Sequence, residues 1–120
     1  MSKSISDEMI RQTYEYAKKV YHGQIGLGKA LDEIVSSTDM KRGSALAYVH
    51  VFGQMMIGNE YRRTMKTRAT EYFLLNIQRD YGEDQLKKAL QSVSAHVKYY
   101  ATLGHGGLRS IEKLVQRLSV

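Results

Sequence analysis

Positive charge is concentrated in one stretch of this 120-residue chain. Between Lys41 and Arg68, six lysine and arginine residues stand against the single acid Glu60, so this stretch carries +5 of the formal net charge of +6. Lysine and arginine bind nucleic-acid phosphates by neutralising them and releasing their counterions. The stretch is therefore a candidate phosphate-binding surface, and its cations are Lys41, Arg42, Arg62, Arg63, Lys66 and Arg68.

The first two of these cations lie where a polar turn enters a helical pattern. The turn contains Thr38, Asp39 and Met40, and Lys41 and Arg42 follow it directly. A helix N-terminus exposes backbone N–H groups and the positive end of the helix dipole, so it attracts anions. We expect a phosphate to bind at this helix start.

Residues 27–57 have the pattern of a helix-turn-helix. A short helix of about ten residues ends near the turn, and a longer helix is predicted from about Arg42 to Ile57. The second helix of such a motif enters the major groove of DNA by its N-terminal residues, where His50 and Gln54 can hydrogen-bond to base edges. An ordinary helical hairpin is the alternative. The residues opposite the predicted core stripe of the longer helix are Gly43, Ala47, His50 and Gln54.

A second group of cations lies in a predicted linker after this helix. Tyr61 and Tyr72 flank the linker, so an aromatic ring is expected beside the DNA backbone at a site of phosphate contacts. A solvated basic loop is the alternative. The cations of this group are Arg62, Arg63, Lys66 and Arg68.

No catalytic or metal-binding pattern accompanies the cations. The sequence has no cysteine, and its four histidines do not pair at helical spacing, so no convergent set of metal ligands is expected. Neither G-x-S-x-G nor G-x-x-x-x-G-K occurs, and we interpret the glycine clusters at 26–28 and 104–107 as helix breaks. We therefore predict a protein that is not an enzyme and has no cofactor or metal.

The elements that must position these residues are predicted to be helical throughout. The chain has no proline, and its apolar residues recur at spacings of three and four between glycine breaks. The fold class is all-α, with about six helices in one compact bundle that contains the helix-turn-helix-like pair, and the length fits a single domain over 1–120. Besides the pair at 27–57, the predicted helices run from about Asp7 to His22, Ala69 to Tyr81, Glu83 to Leu103 and Leu108 to Leu118.

Helical spacing also predicts which side chains are buried. Ser4 or Ser6 is the candidate cap of the first helix, and its predicted core stripe is Ile10, Tyr14, Ala17 and Tyr21. The predicted core stripe of the helix from Arg42 is Ala45, Val49, Phe52 and Met56. Tyr99 falls off the stripe of its helix and is predicted to be an exposed ring.

The sequence also bears on location. The chain begins with polar and acidic residues where a signal peptide needs an apolar run, and no stretch is apolar enough for a membrane span. The lack of cysteine is compatible with a reducing compartment. We therefore expect a cytoplasmic protein without membrane association.

Over about residues 9–118, the chain resembles the helical N-terminal head domain of McrA-like, modified-DNA-directed HNH restriction endonucleases. The resemblance implies a DNA-associated accessory module of a restriction or defence system, and it marks Arg42, Ser44, Tyr48, Arg62 and Arg63 as matching polar positions. The chain has no H-N-H constellation, so no cleavage activity is implied. The strings that carry the resemblance are Arg42-Gly43-Ser44-Ala45, Tyr48, Phe52, Met55-Met56, Gly58, Tyr61, Arg63-Thr64, Ala69-Thr70-Glu71-Tyr72-Phe73, His96-Val97-Lys98-Tyr99-Tyr100 and Ser110-Ile111.

Two functions of different classes follow. The first is a non-catalytic DNA-binding module whose partners are the phosphate backbone, the major groove and a nuclease. The second is a protein-interaction or homodimerisation module, in which Gly43, Ala47 and Gln54 pack against a partner helix without nucleic-acid contact. The candidate DNA-binding residues are Lys41, Arg42, Ser44, His50, Gln54, Arg62, Arg63, Lys66 and Arg68.

Overall fold

The computed structural model describes residues 4–119, and most of them lie in six α-helices; no strand occurs in this range. The all-α prediction is confirmed. The helix from Arg42 to Ile57 has the predicted bounds, and the other predicted bounds lie within about two residues of the observed ones, as expected for fraying ends. The helices are α1 (Asp7–Tyr21), α2 (Leu27–Thr38), α3 (Arg42–Ile57), α4 (Thr67–Tyr81), α5 (Glu83–Ala101) and α6 (Arg109–Leu118).

The chain divides into two compact units. The first ends at Gly53 and the second begins at Gln54, so the division falls inside α3. That the chain acts as one domain stays a prediction. No helix in residues 4–119 is long and apolar enough to cross a membrane.

In the first unit, α1 packs against α2. The helix α1 begins where the Ser6 side chain accepts a hydrogen bond from the backbone N–H of Met9 at 3.2 Å, which confirms one of two predicted capping residues. The predicted core stripe of α1 is buried at its first three positions, Ile10, Tyr14 and Ala17. The fourth, Tyr21, is 48 % exposed, which corrects the prediction, although its ring still meets the edge of Phe52.

The turn between α2 and α3 comprises residues 39–41. Asp39 ends α2 in the left-handed region, at φ 67°, a conformation that a short polar side chain tolerates. The Thr38 hydroxyl accepts a hydrogen bond from the Met40 N–H at 3.2 Å, and the Met40 side chain is buried below the turn. A turn of this length suits a helix-turn-helix, and the assignment of that motif stays a prediction.

The helix α3 is buried over more of its circumference than an amphipathic surface helix. Its predicted stripe of Ala45, Val49, Phe52 and Met56 is buried, but so is Val51, which lies off that stripe. Phe52 meets Tyr14 edge to face, with ring centroids 5.5 Å apart and planes at 83°. The exposed part of α3 is correspondingly narrow, and its exposed members include Gly43, Leu46, His50 and Ile57.

In the second unit, α4 packs against α5, and α6 packs against both. Gly82 separates α4 from α5; its φ of 94° lies in a region that favours glycine, and its N–H still bonds the Gln78 carbonyl at 2.9 Å. The buried side chains of this unit include Phe73, Leu74, Ile77, Leu86, Ala89, Val93, Ile111 and Leu114.

We expect Phe52→Ala to lower the free energy of unfolding by about 3–5 kcal/mol, because it leaves a cavity and removes the contacts with Tyr14 and Tyr21. Leu46→Ala on the same helix is the matched control; this side chain is 44 % exposed, so its effect should stay within about 0.5 kcal/mol. Urea unfolding followed by circular dichroism measures both. Equal losses in the two variants would show that the assignment of the two sides of α3 is wrong.

Candidate nucleic-acid interface

The second group of predicted cations lies on a connection without regular secondary structure. We define the basic segment as residues 58–66, which connect α3 to α4. Such a segment has no helical ladder to satisfy its backbone groups, so these must find partners elsewhere. Those partners are on α5.

Three polar side chains of α5, which we call the α5 anchors, bond the backbone at and before the basic segment. Gln85 donates from Nε2 to the Met56 carbonyl at 2.7 Å, and Ser92 donates from its hydroxyl to the Asn59 carbonyl. The third anchor is His96. The anchors are seven and four residues apart, so they lie on one face of the helix.

The ring of His96 is fully buried and uses both of its nitrogens. Nδ1 lies 2.6 Å from the Tyr61 carbonyl, which can only accept, so Nδ1 carries the proton. Nε2 of the neutral ring then accepts a hydrogen bond from the Thr64 hydroxyl at 2.8 Å. The segment is thus held at two points by one side chain.

Burial lowers the pKa of His96, because an imidazolium loses hydration inside the protein. The hydrogen bond to the Tyr61 carbonyl and the charge of Glu60 act in the opposite direction and do not overcome the burial. The hydrogen-bonded ring is therefore the neutral imidazole near pH 7.

Tyr61 occupies a different place from the one predicted. Its ring is buried and stacks on His96, with centroids 4.3 Å apart and planes at 15°. The prediction that this ring lies beside a DNA backbone is therefore wrong. Its hydroxyl has no hydrogen-bond partner within residues 4–119, and burial raises the pKa of Tyr61 well above the ordinary range.

Close packing at Gly58 brings the start of the segment against α5. Gly58 has a φ of 73°, and a Cβ placed on it would lie 3.2 Å from Oε1 of Gln91 and 3.5 Å from the Lys88 carbonyl. A side chain here would therefore be strained by the backbone conformation and crowded by α5.

This anchoring turns the arginines outward. Tyr61 and Met65 are buried, while Arg62 and Arg63 between them are exposed. The Arg62 side chain is 75 % exposed and is still oriented: its Nε lies 3.8 Å from a Glu60 carboxylate oxygen, and its guanidinium carbon lies 5.0 Å from the Tyr99 ring centroid. Tyr99, predicted as an exposed ring, is half-buried.

The remaining cations of this group lie at the start of α4. Lys66 immediately precedes the helix and Arg68 belongs to its first turn, and both side chains are exposed. Lys66 lines a cleft of about 350 Å³ together with Arg109, the first residue of α6. Thr64, Thr67 and Ser110 line the same cleft together with apolar side chains that include Leu108 and Ile111, so the cleft combines two cations with polar and apolar surface.

At the start of α3, one of the two predicted cations makes an ion pair within the first unit. Arg42 pairs through Nη1 with the Asp32 carboxylate, and its Nη2 lies 3.4 Å from the Gly28 carbonyl, so it ties α3 to α2. Lys41 is exposed, and its carbonyl accepts the Ala45 N–H at 3.0 Å. Part of the positive charge at this helix start is therefore neutralised within the unit.

The other predicted site residues of α3 differ in exposure. His50 is exposed, whereas Ser44 and Gln54 are half-buried. Lys41, Arg42, Ser44 and His50 belong to the first unit, and Gln54 begins the second, with the basic segment and α4.

The α5 anchors were missed by the sequence prediction. Ser92 and His96 are four residues apart and lie directly beside Val93 and Val97, so their spacing places them at the border of the apolar stripe. That spacing was the one signal in the sequence that could have indicated buried polar side chains on α5. Within residues 4–119, no group of three or more histidine and acidic side chains is placed to hold a metal ion.

Comparison with known proteins adds no assignment to this geometry. No protein-family model, curated protein or solved structure matches the chain.

We expect the stability of the protein to fall as the pH drops below about 6.5, the ordinary pKa of histidine, because the unfolded chain binds a proton at His96 before the folded chain does. The contribution of His96 is fully present above that pH and is lost towards the lowered pKa of the folded state. Urea unfolding at about pH 7.5 and pH 5.5 measures the loss.

The variant His96→Asn cannot titrate and should show a smaller loss over this pH range than the unmodified protein. His50→Asn, at an exposed histidine, is the control and should keep the full loss. Equal losses in the unmodified protein and in His96→Asn would contradict the assignment of a neutral, buried imidazole.

Proposed function

We propose that this chain is a non-catalytic DNA-binding module that contacts phosphates through the basic segment and the start of α4. The observation that carries the proposal is the solvent exposure of Arg62 and Arg63 on a backbone segment that the α5 anchors hold in place by hydrogen bonds. In line with the resemblance to the head domains of McrA-like endonucleases, we further propose an accessory role in a restriction or defence system.

The charge of the second unit supports this function. Residues 54–120 contain eleven lysine and arginine residues against six acidic ones, a net charge of +5, whereas residues 1–53 carry +1. A local positive field attracts DNA and accelerates its association with the protein. Contacts with phosphates then fix the orientation of the protein on the DNA, and they do not depend on the base sequence.

Anchoring also favours binding energetically. Ordering a flexible loop on binding costs conformational entropy, which subtracts from affinity. Here the carbonyls of Asn59 and Tyr61 and the hydroxyl of Thr64 are already bonded to α5 in the absence of DNA. Less entropy is therefore lost when the arginines meet phosphate.

The helix α3 supplies a second, weaker part of the proposal. Lys41 and His50 are exposed in the first unit, as a contact with DNA requires. The pairing of Arg42 with Asp32 reduces the charge available at this helix start. We therefore assign most of the affinity to the second unit.

The alternative function is supported by a separate observation on α3. Leu46 is 44 % exposed, and a Cβ built on the neighbouring Gly43 would have no atom within 4 Å. An apolar side chain beside an open glycine can accept a partner helix, and this favours an interaction or homodimerisation module as the second candidate.

We expect weak binding of duplex DNA whose affinity falls steeply with salt. If about four cations contact phosphate, the slope of log affinity against log salt should be about −3 to −4. The double variant Arg62→Ala, Arg63→Ala should weaken binding to the same degree for any duplex sequence, with little effect on thermal stability, because both side chains are exposed. Fluorescence anisotropy with labelled duplexes of different sequence measures both effects.

The matched control is Lys87→Ala, Lys113→Ala, which removes the same charge from exposed positions of α5 and α6 in the same unit. It should retain most of the affinity. An equal loss of DNA affinity in both double variants would show that only the net charge of the protein matters, and it would contradict the assignment of the basic segment as the binding site. The alternative function would be supported by two results together: no binding of duplex DNA at 50 mM salt with micromolar protein, and a dimer of this chain that the variant Leu46→Lys dissociates.

A further inference from the structure

Planar side chains follow one another from the core of the second unit to its surface. The buried Tyr61 ring stacks on His96 at 4.3 Å, and the His96 ring lies 6.5 Å from Tyr99 and 6.4 Å from Tyr100, centroid to centroid. Arg62 then covers Tyr99 with its planar guanidinium group. The outermost plane of this series is therefore a solvent-exposed cation.

A second planar contact lies at the end of α5. The rings of Tyr100 and His105 are 6.3 Å apart with planes at 51°. Tyr100 is half-buried and His105 is exposed, so both retain accessible surface. We call the group of Arg62, Arg63, Tyr99, Tyr100 and His105 the ring-and-arginine surface.

These side chains match the chemistry of an unpaired nucleotide. Bases stack on tyrosine and histidine rings and on arginine guanidinium planes, while arginine also bonds phosphate. In a duplex the faces of the bases are covered by their neighbours, so only an unpaired strand presents them. A surface that offered only charge would bind the duplex at least as tightly as a single strand, because the phosphates of a duplex are more densely spaced.

The surface is also held in position before a ligand arrives. Arg62 is oriented by Glu60 at 3.8 Å and by the Tyr99 ring, and its backbone lies next to the Tyr61 carbonyl that His96 bonds. Tyr99 and Tyr100 belong to α5. An arginine that already lies over a ring and is ion-paired loses less side-chain freedom on binding than a freely rotating one.

We propose that the ring-and-arginine surface binds single-stranded DNA, with bases stacked on Arg62 and on the Tyr100–His105 pair and with phosphate bonded to Arg63. This inference rests on the proposed function and specifies its substrate: the same basic segment binds duplex through charge alone and binds a single strand through charge and stacking together.

The test compares three labelled probes of equal length by fluorescence anisotropy at one salt concentration. They are oligo-dT, the corresponding dT–dA duplex and a strand of abasic nucleotides, which keeps the phosphates and lacks the bases. We expect oligo-dT to bind about tenfold more tightly than the abasic strand, since stacking contributes measurably for each base. The duplex shows how tightly charge binds when the base faces are covered, and the abasic strand, which has the phosphate spacing of a single strand, is the direct control for stacking.

Two variants each remove one planar side-chain group and keep the net charge of the protein. Arg62→Lys keeps the cation and loses the guanidinium plane, and Tyr99→Leu removes the ring beneath it. Both should lower affinity for oligo-dT about five- to tenfold and leave affinity for the duplex unchanged. Tyr99→Phe keeps a ring and should bind oligo-dT like the unmodified protein. Circular dichroism confirms that each variant is folded, and because Arg62 is exposed its variant tests the inference even if Tyr99→Leu unfolds.

Two results overturn the inference. Equal binding of oligo-dT and the abasic strand, with no effect of Arg62→Lys, would eliminate stacking and leave salt-dependent phosphate binding, and so the proposed function, intact. No binding of any probe at low salt would eliminate both.

Discussion

The basic segment depends on the two hydrogen bonds made by the buried ring of His96. One bond satisfies the carbonyl of Tyr61 and the other the hydroxyl of Thr64, three residues later. Removing the ring would leave these polar groups without their partner, at a cost of about 1–3 kcal/mol for each group that stays buried. A connection that lacks a helical ladder is thus fixed by side chains of a neighbouring helix.

The same anchoring determines where the charges lie. With Tyr61 and Met65 directed into the unit, Arg62 and Arg63 are left in solvent, and Lys66 follows at the start of α4. The apolar side of the segment supplies its stability, and the polar side supplies the surface proposed to meet phosphate. Arg42 shows the contrasting case, because its pairing with Asp32 makes it a structural contact of α2 and α3.

The helices could be predicted because their apolar residues recur at helical spacing and glycine or polar turns interrupt them. The bounds of α3 follow from the polar turn at 38–40 and from Gly58.

The contacts of the basic segment could not be predicted. Ser92 and His96 are polar residues on the buried side of α5, and helical spacing alone does not show which groups such residues bond. Only the three-dimensional pairing of α5 with residues 59–64 shows what they satisfy. Tyr61 was misplaced for the same reason, since its neighbours in sequence are charged while its neighbours in space are aromatic.

The central claim is that the anchored basic segment is the surface that meets DNA. The most direct measurement is an NMR titration of the ¹⁵N-labelled protein with a short duplex, with chemical-shift changes followed for every backbone amide. We predict that the largest changes fall on residues 61–68, with smaller ones at Tyr99, and that the amides of residues 86–91 remain unshifted. Changes confined to α3, or no changes at low salt, would contradict the claim.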